Sequence, residues 1–141
     1  MRSILYHWEG DPVRCGDVIR LEHALTKKNL HTHDFQAPLS GRSEVSAFGD
    51  DGNGDTGDNW QLICEKQKEG EILKASYVFY LFHVDTKRYL VCDSKYEFNH
   101  RNCGSGCPIL GQLEVSAEAR KSDLARWRIT SVFNLNLLHN H

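Results

Sequence analysis

The sequence lacks the features of a membrane protein and of a nucleic-acid-binding protein. No apolar run approaches the roughly 20 residues that a membrane-spanning helix needs, and the first residues are too polar for a signal peptide. The net charge is −2, and the basic residues are too scattered to neutralise a row of phosphates. We therefore expect no membrane span, no nucleic-acid partner and a chain that is mature, truncated or cytosolic.

Motifs of common enzymes are missing as well. The chain has no Gly-x-Ser-x-Gly, no P-loop and no His-Glu-x-x-His. It also has no Asn-x-Ser/Thr sequon, so no N-glycan is expected. Glu44 and Glu114 recur in a repeated block, and we interpret them as strand or turn partners and not as a catalytic pair. We expect a protein that is not an enzyme and has no cofactor.

What the sequence does contain is an internal repeat. Four blocks recur in the same order, with offsets of about 60 to 70 residues: residues 18–23 with 78–83, 26–30 with 86–90, 38–47 with 108–117, and 60–62 with 127–129. The change in offset indicates an insertion at 94–107 in the second copy. We predict a first repeat over 11–70, a divergent second repeat over 71–135, and a tail at 136–141.

The blocks alternate apolar and polar residues in the way that half-buried strands do. Four strands per repeat predict an all-β, β-trefoil-type barrel. A trefoil needs three units and two are visible, so we interpret residues 1–10 as the remnant of a preceding unit. Open sheet edges would favour self-association. The Gly- and Asp-rich stretch at 49–58 is predicted to be a solvated loop that is neither helix nor strand.

Two parts of the first copy resemble a known family. Residues 16–23, followed by Leu30, His31, Thr32 and His33, resemble the start of a MIR repeat. Residues 37–41, 44–49 and 55–60 resemble the second repeat of the stromal cell-derived factor two family. The second copy departs from this pattern, since Val91 and Cys92 stand where the histidine-containing segment belongs.

The resemblance implies a luminal protein of the endoplasmic reticulum, or a secreted one, that works in protein quality control. It implies luminal Hsp70 and J-domain chaperones as partners, and unfolded or O-mannosylated proteins as targets. The family-like first copy leads us to predict a ligand-binding groove formed by five side chains: His31, His33, Asp34, Ser40 and Glu44. The alternative is the regulatory MIR domain of a protein O-mannosyltransferase.

Each candidate residue also has a structural interpretation. His31 and His33 face the same side of a strand and either brace loops or bind a ligand; a metal site is the weakest option because further ligands are not evident. His23 and His83 are expected to be buried and to fix turns. Trp60 and Trp127 are expected in the core and not as sugar platforms. The loop at 50–58 does not match a calcium-binding EF-hand.

Five cysteines are many for a cytosolic domain of this size, and they would form disulfides in an oxidising compartment. Cys15 and Cys64 flank the strands of the first repeat, whose ends can come close in a barrel unit, so we predict a disulfide between them. Cys92, Cys103 and Cys107 lie on or near the insertion, where one more bridge of open connectivity is expected. A zinc site using His100, Cys103 and Cys107 would lack a fourth ligand.

Overall fold

Strands account for most of the regular structure in residues 10–130, the part of the chain that this computed structural model describes. The strands are β1 Val18–Ile19, β2 Glu22–His23, β3 Lys28–Gln36, β4 Ser43–Phe48, β5 Trp60–Cys64, β6 Phe79–His83, β7 Arg88–Glu97 and β8 Leu113–Glu118. One short helix, α1 His100–Cys103, and the 3₁₀ helices Thr56–Asp58 and Asp123–Ala125 complete the list. The predicted all-β class is confirmed. The tail at 136–141 and the predicted remnant before Gly10 lie outside the described residues.

All eight strands form one antiparallel sheet with the order β1-β5-β6-β7-β8-β4-β3-β2. The two ends of this order are neighbours in the chain, since only Arg20 and Leu21 separate β1 from β2. The sheet must therefore curl until its ends approach, as expected for a trefoil-type half-barrel. In the described part of the chain, no helix is long and apolar enough to cross a membrane.

The two copies build matching hairpins. In the β3–β4 hairpin Leu30 pairs with Ala47, and in the β7–β8 hairpin Leu90 pairs with Ala117. In both hairpins the regular pairing ends two residues later: the register shifts after Thr32 in the first copy and after Cys92 in the second. The same backbone irregularity in both copies agrees with the repeat read from the sequence.

Trp60 and Trp127 act alike in the two copies. The indole nitrogen of Trp60 donates to the carbonyl of Leu30 at 3.0 Å, and that of Trp127 donates to the carbonyl of Leu90 at 2.9 Å. Trp60 thereby ties β5 to the hairpin of the first copy, and Trp127 ties the segment after the 3₁₀ helix at 123–125 to the hairpin of the second copy. Trp60 is fully buried and Trp127 packs against the same core, which agrees with the expectation of a structural role.

The apolar interior consists of two clusters. The larger is formed by Trp60, Leu62, Phe79, Leu81 and Leu90. The smaller is formed by Tyr80, Val91 and Ala125. Most of these residues belong to β5, β6 and β7, three adjacent strands of the sheet order, each of which is paired with a strand on both of its edges.

The prediction for residues 49–58 is wrong at its end. Residues 56–58 form a 3₁₀ helix with Asp55 as its N-cap, and the Asp58 side chain is fully buried. The Asp55 side chain accepts a hydrogen bond from a backbone amide of this turn, while the Asp58 side chain accepts one from Asp55 N, which is a capping box. The capping box folds the end of this loop onto the barrel.

Candidate functional site

An open cleft of about 320 Å³ lies where β3, the 3₁₀ helix at 56–58 and the β6–β7 turn meet. Its walls come from both copies: His31, Thr32, His33, Asp34, Asp55, Thr56, Gly57, His83, Asp85, Thr86 and Arg88. Three of the five predicted ligand residues, His31, His33 and Asp34, are among them. Polar and ionisable groups dominate this lining, so the cleft suits a ligand rich in hydroxyl or amide groups.

His31 forms the buried floor of the site. Its side chain is 3% exposed, and Nδ1 donates to Asp58 Oδ1 at 2.8 Å and lies 3.5 Å from Asp55 Oδ1. The ring stacks on Phe48 with 4.5 Å between centroids. The other ring nitrogen, Nε2, is buried without a hydrogen-bond partner. His31 therefore connects the β3–β4 hairpin to the loop that carries the capping box. This contact corresponds to the loop-bracing interpretation of His31.

Asp58 is the centre of this network, and we did not single it out from the sequence. Besides His31, its carboxylate accepts hydrogen bonds from Asn29 Nδ2 and Asp55 N, each at 3.1 Å. A buried carboxylate needs such donors, because leaving it unpaired in the interior is costly. The sequence signal for it was the spacing of Asp55 and Asp58, which matches a capping box three residues apart.

His31, Asp55 and Asp58 are also the group of potential metal ligands found within residues 10–130, with candidate ligand atoms no more than 4.8 Å apart. Their hydrogen bonds explain the arrangement without an ion. Asp55 Oδ1 accepts a hydrogen bond from Gly57 N at 2.8 Å. The Asp58 carboxylate accepts hydrogen bonds from His31, Asn29 and Asp55 N. The chemistry of the site is therefore that of a structural polar network.

His33 and Phe35 continue outward along β3 from the buried floor. The His33 ring lies edge-on to His31 and to Phe35, with centroids 4.6 Å apart in each case. His33 is exposed and Phe35 is 64% exposed. As predicted from their spacing, His31 and His33 share one face. The cleft thus has an accessible aromatic rim beside its carboxylates.

The structure does not bring Ser40 and Glu44 to this cleft. The Ser40 amide and hydroxyl both donate to the carboxylate of Glu114, which also accepts from Leu39 N at 2.7 Å. Glu44 pairs with Ser116 on β8, and its carbonyl accepts from the Thr32 hydroxyl at 2.6 Å. Ser40 therefore fixes a turn against the second copy, because Glu114 is buried and needs these donors. The predicted five-residue groove is not contiguous.

His83 joins the cleft from the second copy. It is fully buried, Nε2 donates to the carbonyl of Gly57 at 2.7 Å, and Nδ1 accepts from the Thr86 hydroxyl at 2.7 Å. Burial lowers the pKa of His83, which keeps the imidazole neutral. Gly57 contacts both histidines. Its carbonyl accepts from His83, and an added Cβ would collide with His31 Cε1.

His23, the counterpart of His83, differs from the expectation. Its Nδ1 lies 2.8 Å from the Thr26 hydroxyl, so it does fix a turn, but the residue is exposed. It lies at the end of the sheet order, where no strand covers it. The same local motif is therefore buried in one copy and open in the other.

The cysteines form two disulfides within residues 10–130. Cys15 is bonded to Cys64, the pair predicted from the sequence, and Cys103 is bonded to Cys107. Cys92 is a free, half-buried thiol. Burial, together with the neighbouring carboxylate of Asp93, raises the pKa of Cys92 and makes it a weak nucleophile. The disulfide at Cys103 leaves no thiolate pair there for the zinc site considered above.

Comparison with known proteins agrees with this geometry. The family model of the MIR domain matches residues 2–95. A stromal cell-derived factor 2-like protein of Dictyostelium discoideum is 40% identical over 123 residues, covering 85% of this chain and 52% of the relative. One from Arabidopsis thaliana is 48% identical over 111 residues, covering 78% and 49%. The chain thus spans about half the length of these curated relatives.

Comparison with solved structures also finds proteins that resemble this chain. The crystal structure of the SDF2-like protein from Arabidopsis thaliana matches with a TM-score of 0.76 and 36% identity, covering 88% of this chain and 63% of that one. The Saccharomyces cerevisiae protein O-mannosyltransferase Pmt1-Pmt2 complex matches with a TM-score of 0.55 and 24% identity, covering 92% and 21%. The second match shows a shared fold alone.

Proposed function

Because this chain belongs to the MIR-domain family and has SDF2-like relatives, which are not a catalytic family, we propose that it is a binding module of protein quality control in the lumen of the endoplasmic reticulum. In this proposal it recognises unfolded or O-mannosylated proteins within a chaperone complex. Luminal Hsp70 and J-domain chaperones are the proposed partners. Two disulfides favour an oxidising compartment.

The cleft between the two copies carries the proposal. Its volume of about 320 Å³ is at the lower end of the roughly 300–1,000 Å³ found for ligand sites, which suits a single sugar and not a large cofactor. Asp34, Asp55 and Asp85 line it and accept hydrogen bonds, while Arg88 adds donors. Sugar hydroxyls both donate and accept, so this mixture is complementary to a hexose on a peptide.

An exposed aromatic side chain beside the cleft supplies a contact for the unfolded part of a target. Phe35 continues the aromatic rim formed by His33 and is 64% exposed. The proposed target is therefore a glycosylated, extended segment that places its sugar in the cleft and its side chains on this rim.

The test is the affinity for a synthetic peptide carrying O-mannosyl threonine, measured by calorimetry against the same peptide without the sugar. We expect binding of the mannosylated form only. The double variant His33→Ala, Asp34→Asn removes exposed groups of the cleft and spares the buried network around Asp58. Loss of one charge-assisted hydrogen bond, worth about 1.5–3 kcal/mol, predicts roughly tenfold weaker binding or more.

The matched control is Glu71→Gln, which removes one exposed carboxylate outside the cleft lining and should leave the affinity unchanged. Equal affinity of the native protein and the cleft variant would contradict the site. Equal affinity for the two peptides would contradict sugar recognition. The alternative, a regulatory domain of a protein O-mannosyltransferase, gains no support beyond the shared fold.

A further inference from the structure

The two disulfides of the chain lie in contrasting environments. Cys15–Cys64 joins residues 49 apart in sequence, and Cys15 is 2% exposed. Cys103–Cys107 joins residues only four apart, on the insertion between β7 and β8, and both cysteines are partly exposed. The residues between them are small and exposed: Gly104, Ser105 and Gly106. An attacking thiol can therefore approach either sulfur of this second bridge, whereas in the first bridge Cys64 alone is partly exposed.

The loop that carries the second bridge is held together without it. At the base, Phe98 N donates to Gln112 O and Gly111 N donates to Phe98 O, at 2.9 and 2.8 Å. Asn99 and Asn102 form a capping box around α1, and Asn102 Nδ2 also donates to Glu97 O at 2.8 Å. None of these bonds involves a cysteine sulfur, so reduction of the bridge removes none of them.

The bridge also contributes less to stability than its buried counterpart. A disulfide stabilises mainly by restricting the unfolded chain, and this restriction grows with the length of the closed loop. The loop closed by Cys103 and Cys107 is far shorter than the one closed by Cys15 and Cys64. Opening the short bridge thus costs little stability, whereas opening the long one removes the covalent link between the segment before β1 and the end of β5.

We propose that Cys103–Cys107 is a thiol–disulfide exchange site that accepts electrons from a protein or peptide dithiol. A thiolate of the dithiol attacks one sulfur of the bridge, forms a mixed disulfide and expels the other sulfur as a thiolate, which takes up a proton. The second thiol of the donor then attacks the mixed disulfide and releases the second cysteine. Two electrons and two protons move, and the donor is left as a disulfide.

The surroundings assist the departing thiolate. Arg101 lies in the same short helix as Cys103, and a positive charge close to a cysteine stabilises its thiolate. Cys92, the remaining thiol, is half-buried with a raised pKa, so it does not compete as a nucleophile. The exchange site is separate from the cleft and does not depend on the function proposed for it.

The experiment equilibrates the native chain in buffers of graded reduced-to-oxidised glutathione ratio, followed by acid quenching and labelling with a maleimide of known mass. Intact mass counts the labels, and peptide mapping assigns them. We expect one label, on Cys92, in oxidising buffer, three once Cys103 and Cys107 open, and five only when Cys15 and Cys64 open. The two steps should be separated by roughly tenfold or more in glutathione ratio.

A Cys-x-x-Ser peptide, which lacks the resolving thiol, provides the second readout. It should become trapped as a mixed disulfide on Cys103 or Cys107 of the native protein, and not on Cys15 or Cys64. The double variant Cys103→Ser, Cys107→Ser should lose the first step and keep the native circular dichroism spectrum. Simultaneous opening of both bridges, earlier opening of Cys15–Cys64, or no trapped adduct would each overturn the proposal.

Discussion

The contact between the hairpin and the 3₁₀ helix is polar in the first copy and apolar in the second. In the first copy Asn29, His31 and Asp58 form a buried hydrogen-bonded network. Their counterparts in the second copy are Tyr89, Val91 and Ala125, which pack in the smaller apolar cluster. Both 3₁₀ helices, at 56–58 and 123–125, have a side-chain N-cap, so the backbone is alike and the chemistry differs.

This comparison separates what the fold requires from what the first copy adds. Val91 and Ala125 are fully buried, so apolar side chains alone can join a hairpin to its capping turn. A buried polar network is often no more stable than an apolar replacement of similar size. We propose that the network of the first copy serves the cleft that it floors.

The largest expected effect comes from breaking the network at its centre. Asp58→Ala leaves His31 and Asn29 buried without their acceptor, and removing one partner of a buried polar pair costs about 3–5 kcal/mol. Urea unfolding monitored by tryptophan fluorescence measures the change in unfolding free energy. The matched control, Asp51→Ala, removes an exposed acid of the same loop. A loss below about 1 kcal/mol would show that the network is not buried in solution.

A smaller effect is expected for His83, the histidine that joins the second copy to the capping turn. Since burial lowers the pKa of His83 in the folded state, the unfolded state binds a proton first as pH falls. The stabilisation is complete above the ordinary histidine pKa of about 6.5 and is lost below it, by at most about 1.4 kcal/mol per pH unit. Unfolding free energies at several pH values between 7.5 and 5 measure this slope.

The control for this prediction is His83→Gln, which has no titrating group and keeps a donor for the carbonyl of Gly57. The native protein should lose more stability than this variant as the pH is lowered. Parallel pH profiles of the native chain and the variant would contradict a neutral, buried His83.

Much of the fold could be predicted from the sequence, because the alternation of strand residues and the repeated blocks are local patterns. The shared face of His31 and His33 followed from the two-residue period of a strand. The burial of Asp58 did not, because Gly- and Asp-rich segments are usually solvated loops and only the capping box and its tertiary partners pull this one inward. The prediction of a solvated loop therefore holds up to Asp55 and fails for the 3₁₀ helix at 56–58.

Repeat symmetry also misled in one respect. Leu21 and Leu81 occupy equivalent positions, yet Leu21 is 45% exposed and Leu81 is 5% exposed. The reason is that β6 pairs with β5 over five residues, whereas β1 pairs over two at the end of the sheet order. Burial depends on neighbouring strands, which a single repeat does not encode. A further unit that covers β1 stays a prediction.

The most direct test of the comparison is to make the polar network of the first copy apolar, as the equivalent site of the second copy is. In the variant Asn29→Ala, His31→Val, Asp58→Ala, the whole polar network is replaced by apolar side chains, and its unfolding free energy is compared with that of Asp58→Ala alone. We predict that the triple variant regains most of the stability lost in the single variant, because no buried polar group is left unpaired. A triple variant no more stable than Asp58→Ala would contradict the claim that the network is dispensable for the fold.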